Sequence, residues 1–183
     1  MVTRQTISPE HFKELMVAWK QGISEFFHNA MNQIQPKTDY VLEVGYGNST
    51  PLLKAKFGKY HLKVLDKSPR VEDHIDYLMD LCVPNAQTEE TWNYIFCLDV
   101  LEHAKQPWIL AENISTMLKP RGKIMVTVPT DFPWHPMLPV CGDYWRFYPD
   151  SLEILFPNLV MIQNDRVYYN NALLGLTATF QQD

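Results

Sequence analysis

A ten-residue stretch, residues 41–50, constrains the fold of this 183-residue chain more than any other part. Its apolar first half predicts a short buried strand, and Gly45 and Gly47 place a glycine turn directly after it. Glycine permits backbone angles and a close backbone approach that a Cβ would prevent. A strand that ends in such a turn is typical of open α/β sheets, which bind nucleotide-like ligands there. An ordinary tight strand–helix turn is the alternative that this stretch alone leaves open.

The residues after the turn predict a helix. Ser49 or Thr50 caps it, Pro51 suits its first turn, and Gly58 ends it. A dinucleotide fingerprint requires a third glycine where this chain has Thr50, and the Gly-Lys-Ser/Thr of a phosphate-binding loop is absent from the sequence. The turn therefore favours neither a nicotinamide dinucleotide nor a nucleoside triphosphate.

The acidic residue before the turn supplies a family resemblance. Glu43 stands two residues before Gly45, and this order resembles motif I of class I S-adenosylmethionine methyltransferases, with Ser49 in place of the last glycine. The resemblance implies an α/β fold: a three-layer, Rossmann-like, seven-stranded and mostly parallel sheet with a terminal antiparallel hairpin. It also implies that S-adenosyl-L-methionine is the cofactor and that the turn, with Tyr46 and Gly47, helps to bind it.

A second strand is predicted over residues 60–66 and ends at Asp66, 21 residues after Gly45. A carboxylate only accepts hydrogen bonds, so at this spacing it can take both ribose hydroxyls of an adenosine. Lys67 follows it and joins the predicted cofactor site. A helix cap or turn residue is the alternative role for Asp66, since Ser-Pro comes shortly after it.

A third strand is predicted over residues 74–81. The resemblance implies that Asp80 accepts a hydrogen bond from the adenine amino group, and that the backbone amide of Leu81 meets a ring nitrogen. Asp76 is the rival for the acidic position, because strand ends are hard to place from sequence.

An apolar run that begins at Tyr94 predicts a buried central strand and stops at a carboxylate, Asp99. Residues 97–103, Cys-Leu-Asp-Val-Leu-Glu-His, closely resemble the motif after the fourth strand in the type 11 group of small-molecule methyltransferases. That resemblance implies that the backbone of Cys97, Leu98 and Asp99 lies along the methionine part of the cofactor. DNA adenine methyltransferases carry Asn/Asp-Pro-Pro-Tyr/Phe here, so that substrate class is disfavoured.

His103 has two competing interpretations. A neutral imidazole accepts protons near pH 7, so His103 is a candidate general base for a substrate hydroxyl. A structural hydrogen-bond donor at the strand–helix corner is the alternative. Asp99 and His103 stand four residues apart and could share a metal on one helix face, but no third ligand occurs at a recognised spacing. No metal site is therefore predicted.

Residues 1–36 are predicted to form an N-terminal helical cover. Ser8 caps the helix, Pro9 lies in its first turn, apolar residues recur at helical spacing to Ile34, and Gly22 is a candidate break. An amphipathic helix of this kind covers one edge or face of a sheet. A substrate lid or a dimer face is the alternative.

Residues 130–150 predict an aromatic substrate loop beyond the carboxyl end of a strand, where open sheets bind ligands. The alternative is a structural lid in which Asp143 pairs with Arg146. The His-Pro and Asp-Tyr-Trp-Arg-Phe segments resemble a loop of methyltransferases associated with bacterial surface sugars, which points to a polar or glycan-related acceptor. His135 is the second candidate base. The predicted substrate-binding residues are Trp134, His135, Asp143, Tyr144, Trp145 and Arg146.

The remaining segments predict two helices and three strands. In chain order they are a helix from Pro107, a strand over residues 123–129, a short helix capped by Asp150 or Ser151, and strands over residues 158–169 and 173–180. In the resembling family the last two strands form the terminal antiparallel hairpin, and the Asn-Asn-Ala between them suits a turn.

Length and composition favour one domain over residues 1–183, with a full hydrophobic core. The net charge of −5 argues against a nucleic-acid surface, and no apolar run is long enough for a membrane span. The three cysteines form no Cys-x-x-Cys pair, which favours a reduced, cytoplasmic setting. The oligomeric state is not predicted.

Together these motifs predict a class I S-adenosylmethionine-dependent methyltransferase that acts on a small-molecule or glycan-related acceptor by direct in-line transfer. Two alternatives belong to other classes. A non-catalytic S-adenosylmethionine-binding or scaffold protein would follow if Ser49 and Tyr46 crowded the cofactor. A nicotinamide-dependent oxidoreductase would share the sheet but lacks its third glycine.

Overall fold

The computed structural model describes residues 7–69, 75–137 and 139–183, and one seven-stranded sheet forms its centre. The strands are β1 (Val41–Val44), β2 (Leu62–Asp66), β3 (Tyr77–Leu78), β4 (Trp92–Leu98), β5 (Leu118–Pro129), β6 (Val160–Tyr169) and β7 (Ala172–Gln181). The helices are α1 (Pro9–Gln33), α2 (Thr50–His61), α3 (Pro107–Thr116) and α4 (Pro149–Leu155), and Leu101–His103 form a 3₁₀ turn.

The strand order is β3-β2-β1-β4-β5-β7-β6. All neighbouring strands are parallel except β7, which runs antiparallel to both β5 and β6. The predicted Rossmann-like sheet with its terminal antiparallel hairpin is confirmed. The direction of winding reverses between β1 and β4, and the carboxyl ends of strands at such a switch point leave a crevice for a ligand.

The central strands bury side chains on both faces of the sheet. Ile95 of β4 faces the core that α3 and α4 cover, while its neighbour Phe96 faces the core that α1 and α2 cover. Successive residues of a strand point to opposite faces, so each helix layer packs on its own set of strand residues. The result is the predicted three-layer arrangement, and the continuous apolar runs of the parallel strands follow from it.

Helix α1 begins as predicted, with the Ser8 side chain accepting a hydrogen bond from the backbone amide of His11 at 3.1 Å. The predicted break at Gly22 is wrong, because the helix continues through it to Gln33. Gly22 instead allows close packing, since a Cβ at this position would overlap the side chain of Val167 on β6. The glycine thus brings the helix against the sheet.

Several predicted boundaries also differ from the structure. Strand β2 begins at Leu62, because Tyr60 and His61 still belong to α2, whose backbone breaks at Gly58 with φ 66°. Strand β3 is reduced to two residues, and His74 of the predicted strand lies outside the described residues. Strand β5 already begins at Leu118, where it pairs with Trp92 of β4.

The last two elements follow the prediction with changes at their ends. Tyr148, not Asp150 or Ser151, is the N-cap residue of α4, and its backbone amide donates to Ser151 Oγ at 2.9 Å. The hairpin of β6 and β7 turns at Asn170 and Asn171, which both have positive φ. Asparagine tolerates this conformation in tight turns.

Across the described parts of the chain, no helix combines the length and the apolar character needed to cross a membrane.

Candidate active site

A cavity of about 540 Å³ opens at the carboxyl ends of β1, β2 and β4. This volume lies within the usual range for small-molecule and cofactor sites. Its walls come from the glycine turn after β1, the segments after β2 and β3, the 3₁₀ turn after β4, one side of α1, and the loop after β5. The switch point of the sheet therefore carries the pocket that the topology predicts.

The glycine turn is fixed by its own backbone conformation. Gly45 has a φ of 80°, and a Cβ there would lie 2.8 Å from Val100 Cγ2, so a larger residue would meet both strain and a clash. The Gly47 amide donates to Thr50 Oγ1 at 3.0 Å, while the Ser49 hydroxyl donates to the Glu43 carboxylate. Ser49 is the N-cap residue of α2 but makes no side-chain capping bond, because its hydroxyl is turned towards Glu43.

Asp66 connects the ends of β1 and β2. Its Oδ2 accepts from the Tyr46 amide at 3.0 Å, and its Oδ1 accepts from the Ser68 amide at 2.9 Å. Asp66 therefore makes the hydrogen bonds of a turn residue, as its alternative role predicted, and it also lines the cavity. The carboxylate holds the glycine turn in position beside the pocket.

Most of the predicted cofactor residues come together around the cavity. Those that line it are Gly45, Tyr46, Gly47, Asp66, Lys67, Asp80, Leu81, Leu98 and Asp99. Glu43 and Cys97 are buried strand residues behind this lining. Asp76, the rival of Asp80, instead accepts hydrogen bonds from the Lys63 ammonium and from the Val64 amide, so it links the segment before β3 to β2.

Asp99 adopts a positive φ of 55° directly after β4. Such a conformation is uncommon for a residue other than glycine and is often found at functional sites. Its Oδ1 accepts from Thr127 Oγ1 at 2.7 Å, and its Oδ2 accepts from Trp19 Nε1 at 3.0 Å. Burial raises the pKa of Asp99, and these two hydrogen bonds act against that shift. Through Trp19, helix α1 is tied to the floor of the cavity.

Glu102, His103 and His135 form a cluster at the cavity wall, with one ligand-type atom from each within 4.8 Å of the others. His103 Nδ1 lies 2.6 Å from the Gly142 carbonyl oxygen, and His135 Nδ1 lies 2.8 Å from that of Pro133. Burial raises the pKa of Glu102 well above its usual range, and the charge of Asp99 adds to this. Burial also lowers the pKa of His103, which favours the neutral imidazole.

The aromatic loop is braced by a double ion pair. Arg146 donates to both carboxylate oxygens of Asp143, at 2.5 and 2.7 Å, and to the carbonyl oxygens of Phe132 and Pro133. Burial alone would raise the pKa of Asp143, but the hydrogen bonds from Arg146 and His135 outweigh it and leave that pKa below its usual value. The Asp143–Arg146 pair of the structural-lid interpretation is thus present.

Of the predicted substrate-binding residues, His135 lines the cavity. Among the described residues, the others lie outside the lining: Trp134, Asp143, Tyr144, Trp145 and Arg146. Trp145 donates to the Ala104 carbonyl oxygen at 2.8 Å and packs edge-on against Trp108, so it fixes the loop from outside. The loop's contribution to the cavity comes instead from its apolar residues Phe132, Met137, Val140 and Cys141.

The sequence reasoning missed the contribution of α1. Met16, Trp19, Lys20, Ile23, Ser24, Phe27 and His28 all line the cavity. The helical spacing of their apolar members predicted burial, but it could not separate residues that face the sheet from residues that face a ligand. Helix α1 therefore covers the sheet, as predicted, and also forms part of the cavity wall.

Replacing Arg146 by methionine is expected to destabilise the protein by about 2 kcal/mol, because the buried Asp143 carboxylate would lose its charged partner. Chemical denaturation measures this change. The matched control is Arg166→Met, since Arg166 is exposed on β6 and its loss should have little effect. Equal stability of the two variants would show that the ion pair does not brace the loop.

A family model described as a methyltransferase domain matches residues 12–157. The chain belongs to this family. The class I methyltransferase predicted from the glycine turn and the Asp99 motif is thereby confirmed, and methyl transfer is the activity of this enzyme class. The family also favours the methyltransferase over the nicotinamide-dependent alternative. No curated protein matches the sequence.

Solved methyltransferases share the fold along nearly the whole chain. The N-methyltransferase NodS from Bradyrhizobium japonicum, in complex with S-adenosyl-L-homocysteine, has a TM-score of 0.59 at 17% identity and covers 98% of this chain and 91% of its own. The magnesium protoporphyrin IX methyltransferase from Synechocystis, with bound S-adenosylmethionine, has a TM-score of 0.63 at 10% identity and covers 97% and 86%. The 1,6-didemethyltoxoflavin-N1-methyltransferase from Burkholderia thailandensis has 0.60 at 13% identity and covers 99% and 93%.

Proposed function

We propose that this methyltransferase transfers a methyl group from S-adenosyl-L-methionine to a small-molecule acceptor bound in the same cavity. The observation that carries the proposal is one continuous cavity that joins the glycine turn and Asp66 to the cluster of Glu102, His103 and His135. One end offers a site for an adenosyl group, and the other offers proton-accepting groups for an acceptor. The reaction is direct in-line transfer.

The residues present fit this cofactor. Asp66, Asp80 and Leu81 all line the cavity. We assign the Asp66 carboxylate to the ribose hydroxyls and Asp80 with Leu81 to the adenine. Among the described residues, apart from the two chain neighbours of Gly47, no heavy atom lies within 4 Å of a Cβ placed on this glycine, so the turn leaves room for a ligand beside it. Neighbours crystallised with S-adenosylmethionine or its demethylated product support the same cofactor. When bound, the cofactor supplies an electrophilic methyl group on a sulfonium.

The protein itself would position the reacting groups, limit the water around them and supply a proton acceptor. Apolar residues of α1 and of the loop after β5 line the cavity, and an apolar wall disfavours water beside the reacting groups. His103 and His135 hold their Nδ1 atoms against carbonyl oxygens, so each Nε2 is left to accept a proton. These two histidines are therefore the candidate general bases.

The acceptor class follows from the cavity and from the neighbours. Structural neighbours are named for small molecules, a toxoflavin precursor and a magnesium porphyrin, which supports a small acceptor here. A saccharide-related acceptor is the finer proposal, and it rests on the resemblance of the loop to methyltransferases of surface sugars.

We also propose that residues 1–183 act as one domain, since a single sheet takes its strands from residues 41 to 181. We further propose that the protein works in the cytoplasm.

Calorimetric titration with S-adenosylmethionine and with S-adenosylhomocysteine tests the proposal. Micromolar binding of both, together with transfer of a labelled methyl group to a small hydroxylated or aminated acceptor, is expected. Binding without transfer to any acceptor of a broad panel would favour the non-catalytic alternative. Binding of NAD but of neither S-adenosyl compound would contradict the proposal.

A further inference from the structure

We propose that Glu102, His103 and His135 bind a divalent first-row transition-metal ion such as Zn²⁺ at the wall of the cavity. His103 Nε2 lies 3.9 Å from Glu102 Oε1, and His135 Nε2 lies 4.0 Å from the same oxygen. Zinc takes nitrogen and oxygen ligands at about 2.0–2.2 Å. The ligand atoms of the three residues lie within 4.8 Å of one another, so they would have to approach by about 1 Å or less to share an ion. Each of the three residues offers one nitrogen or oxygen atom that can bind a metal, and these atoms lie close enough together to share one ion.

The carboxylate of Glu102 is the first reason for a cation here. The residue is 1% exposed, and within the described part of the chain neither of its oxygens has a hydrogen-bond partner. Asp99, the nearby second carboxylate, is bonded by the neutral groups of Thr127 and Trp19. A buried carboxylate needs a charged or hydrogen-bonding partner to stay ionised, and a bound cation would supply the positive charge that lets Glu102 bind as a carboxylate.

The orientation of the two histidines is the second reason. His103 Nδ1 is 2.6 Å from the Gly142 carbonyl oxygen, and His135 Nδ1 is 2.8 Å from the Pro133 carbonyl oxygen and 3.2 Å from Asp143 Oδ2. These acceptors place the proton on Nδ1 in both rings and leave the Nε2 lone pairs beside Glu102. Metal-binding histidines usually donate their other ring nitrogen to a carbonyl or a carboxylate in this way.

The chemistry of the three ligands selects the kind of ion. Two imidazoles and one carboxylate suit Zn²⁺ and related transition metals, whereas Mg²⁺ and Ca²⁺ prefer sites made of oxygen atoms. Three protein ligands leave at least one position open for another molecule, as in catalytic metal sites. All three residues line the cavity, so that position is accessible to an acceptor.

The inference narrows the acceptor class, and this step rests on the proposed function. An acceptor hydroxyl bound to the ion would have a lowered pKa and would release its proton to water more readily. The new O–C bond then forms as the C–S bond of the donor breaks. His103 and His135 would act as metal ligands in this case, so neither would serve as the general base.

Metal titration of the chelator-treated, full-length protein tests the site. Zn²⁺ measured by calorimetry and Co²⁺ measured by visible absorption should each bind at one ion per chain. Glu102→Gln keeps the size of the side chain and removes its charge, and it should lower the affinity at least about 100-fold, as should His135→Gln. The matched control is His61→Gln, because His61 lies at the end of α2 against the Asp39 carbonyl oxygen and should not affect binding.

Three outcomes would overturn the inference. The first is that neither ion binds to the unchanged protein, and the second is that the Glu102 and His135 variants bind the ion as tightly as the unchanged protein does. The third is a thiolate-to-cobalt absorption band. The third would mean that cysteines are the ligands. Circular dichroism checks that each variant is folded. Titration of the metal-free protein with S-adenosylmethionine separates the two proposals, because cofactor binding without metal binding would contradict only the metal site, and the reverse result would contradict only the proposed function.

Discussion

Replacing Asp66 by alanine is expected to lower the affinity for S-adenosylmethionine at least about 100-fold, the equivalent of losing one or two hydrogen bonds to a charged group. The carboxylate accepts from the amides of Tyr46 and Ser68 and lies at the cavity. Its loss would remove the proposed acceptor for the ribose hydroxyls and would also release the glycine turn. Calorimetric titration measures the combined effect.

A second substitution separates these two contributions. Asp66→Asn keeps the size of the side chain but retains one oxygen for two backbone donors. The unchanged protein should bind S-adenosylhomocysteine more tightly than an analogue that lacks the ribose hydroxyls. The Asp66→Asn variant should bind these two ligands with nearly equal affinity. Asp165→Asn, an exposed change on β6, is the matched control. Undiminished discrimination in the Asp66 variant would show that Asp66 only holds the turn.

The parts of the site that could be predicted from sequence are those built by local chain geometry. A parallel strand that ends in Gly45 or in Asp66 places these residues at the carboxyl edge of the sheet, whatever the rest of the chain does. The family resemblance then implied a seven-stranded, mostly parallel sheet with a terminal antiparallel hairpin, because the same motifs recur at the same strand ends. These residues do line the cavity.

The rest depends on contacts between distant segments, for which the sequence holds no spacing rule. His135 reaches Glu102 because the Asp143–Arg146 pair folds the loop back over the 3₁₀ turn, and no local pattern encodes that approach. Trp19 reaches Asp99 across 80 residues of sequence. The approach of His135 to Glu102 and His103, on which the proposed metal site depends, is therefore a product of tertiary packing.

Glu43 is expected to make the protein less stable as the pH rises from about 4.5 through 7. Burial raises the pKa of this carboxyl from 4.5 to about 7, although hydrogen bonds from Ser49 and Thr50 and the charge of Lys54 act against it. Between these values the folded state holds a proton that the unfolded state has lost, so the contribution of Glu43 to stability is fully present below about pH 4.5 and is lost as the pH rises through 7. The expected loss is roughly 3 kcal/mol, measured by chemical denaturation at a series of pH values.

Glu43→Gln should remove this part of the pH dependence, while Glu153→Gln, at an exposed position on α4, should leave it intact. Identical pH profiles for the two variants would contradict a protonated Glu43. The same pair of variants also tests the predicted cofactor role. If Glu43 interacts with the cationic cofactor, the affinity for S-adenosylmethionine should increase as the pH rises through 7 in the unchanged protein and in Glu153→Gln, but not in Glu43→Gln. If it does not, the role of Glu43 is to hold the turn through its hydrogen bonds with Ser49 and Thr50, which agrees with its position behind the cavity lining.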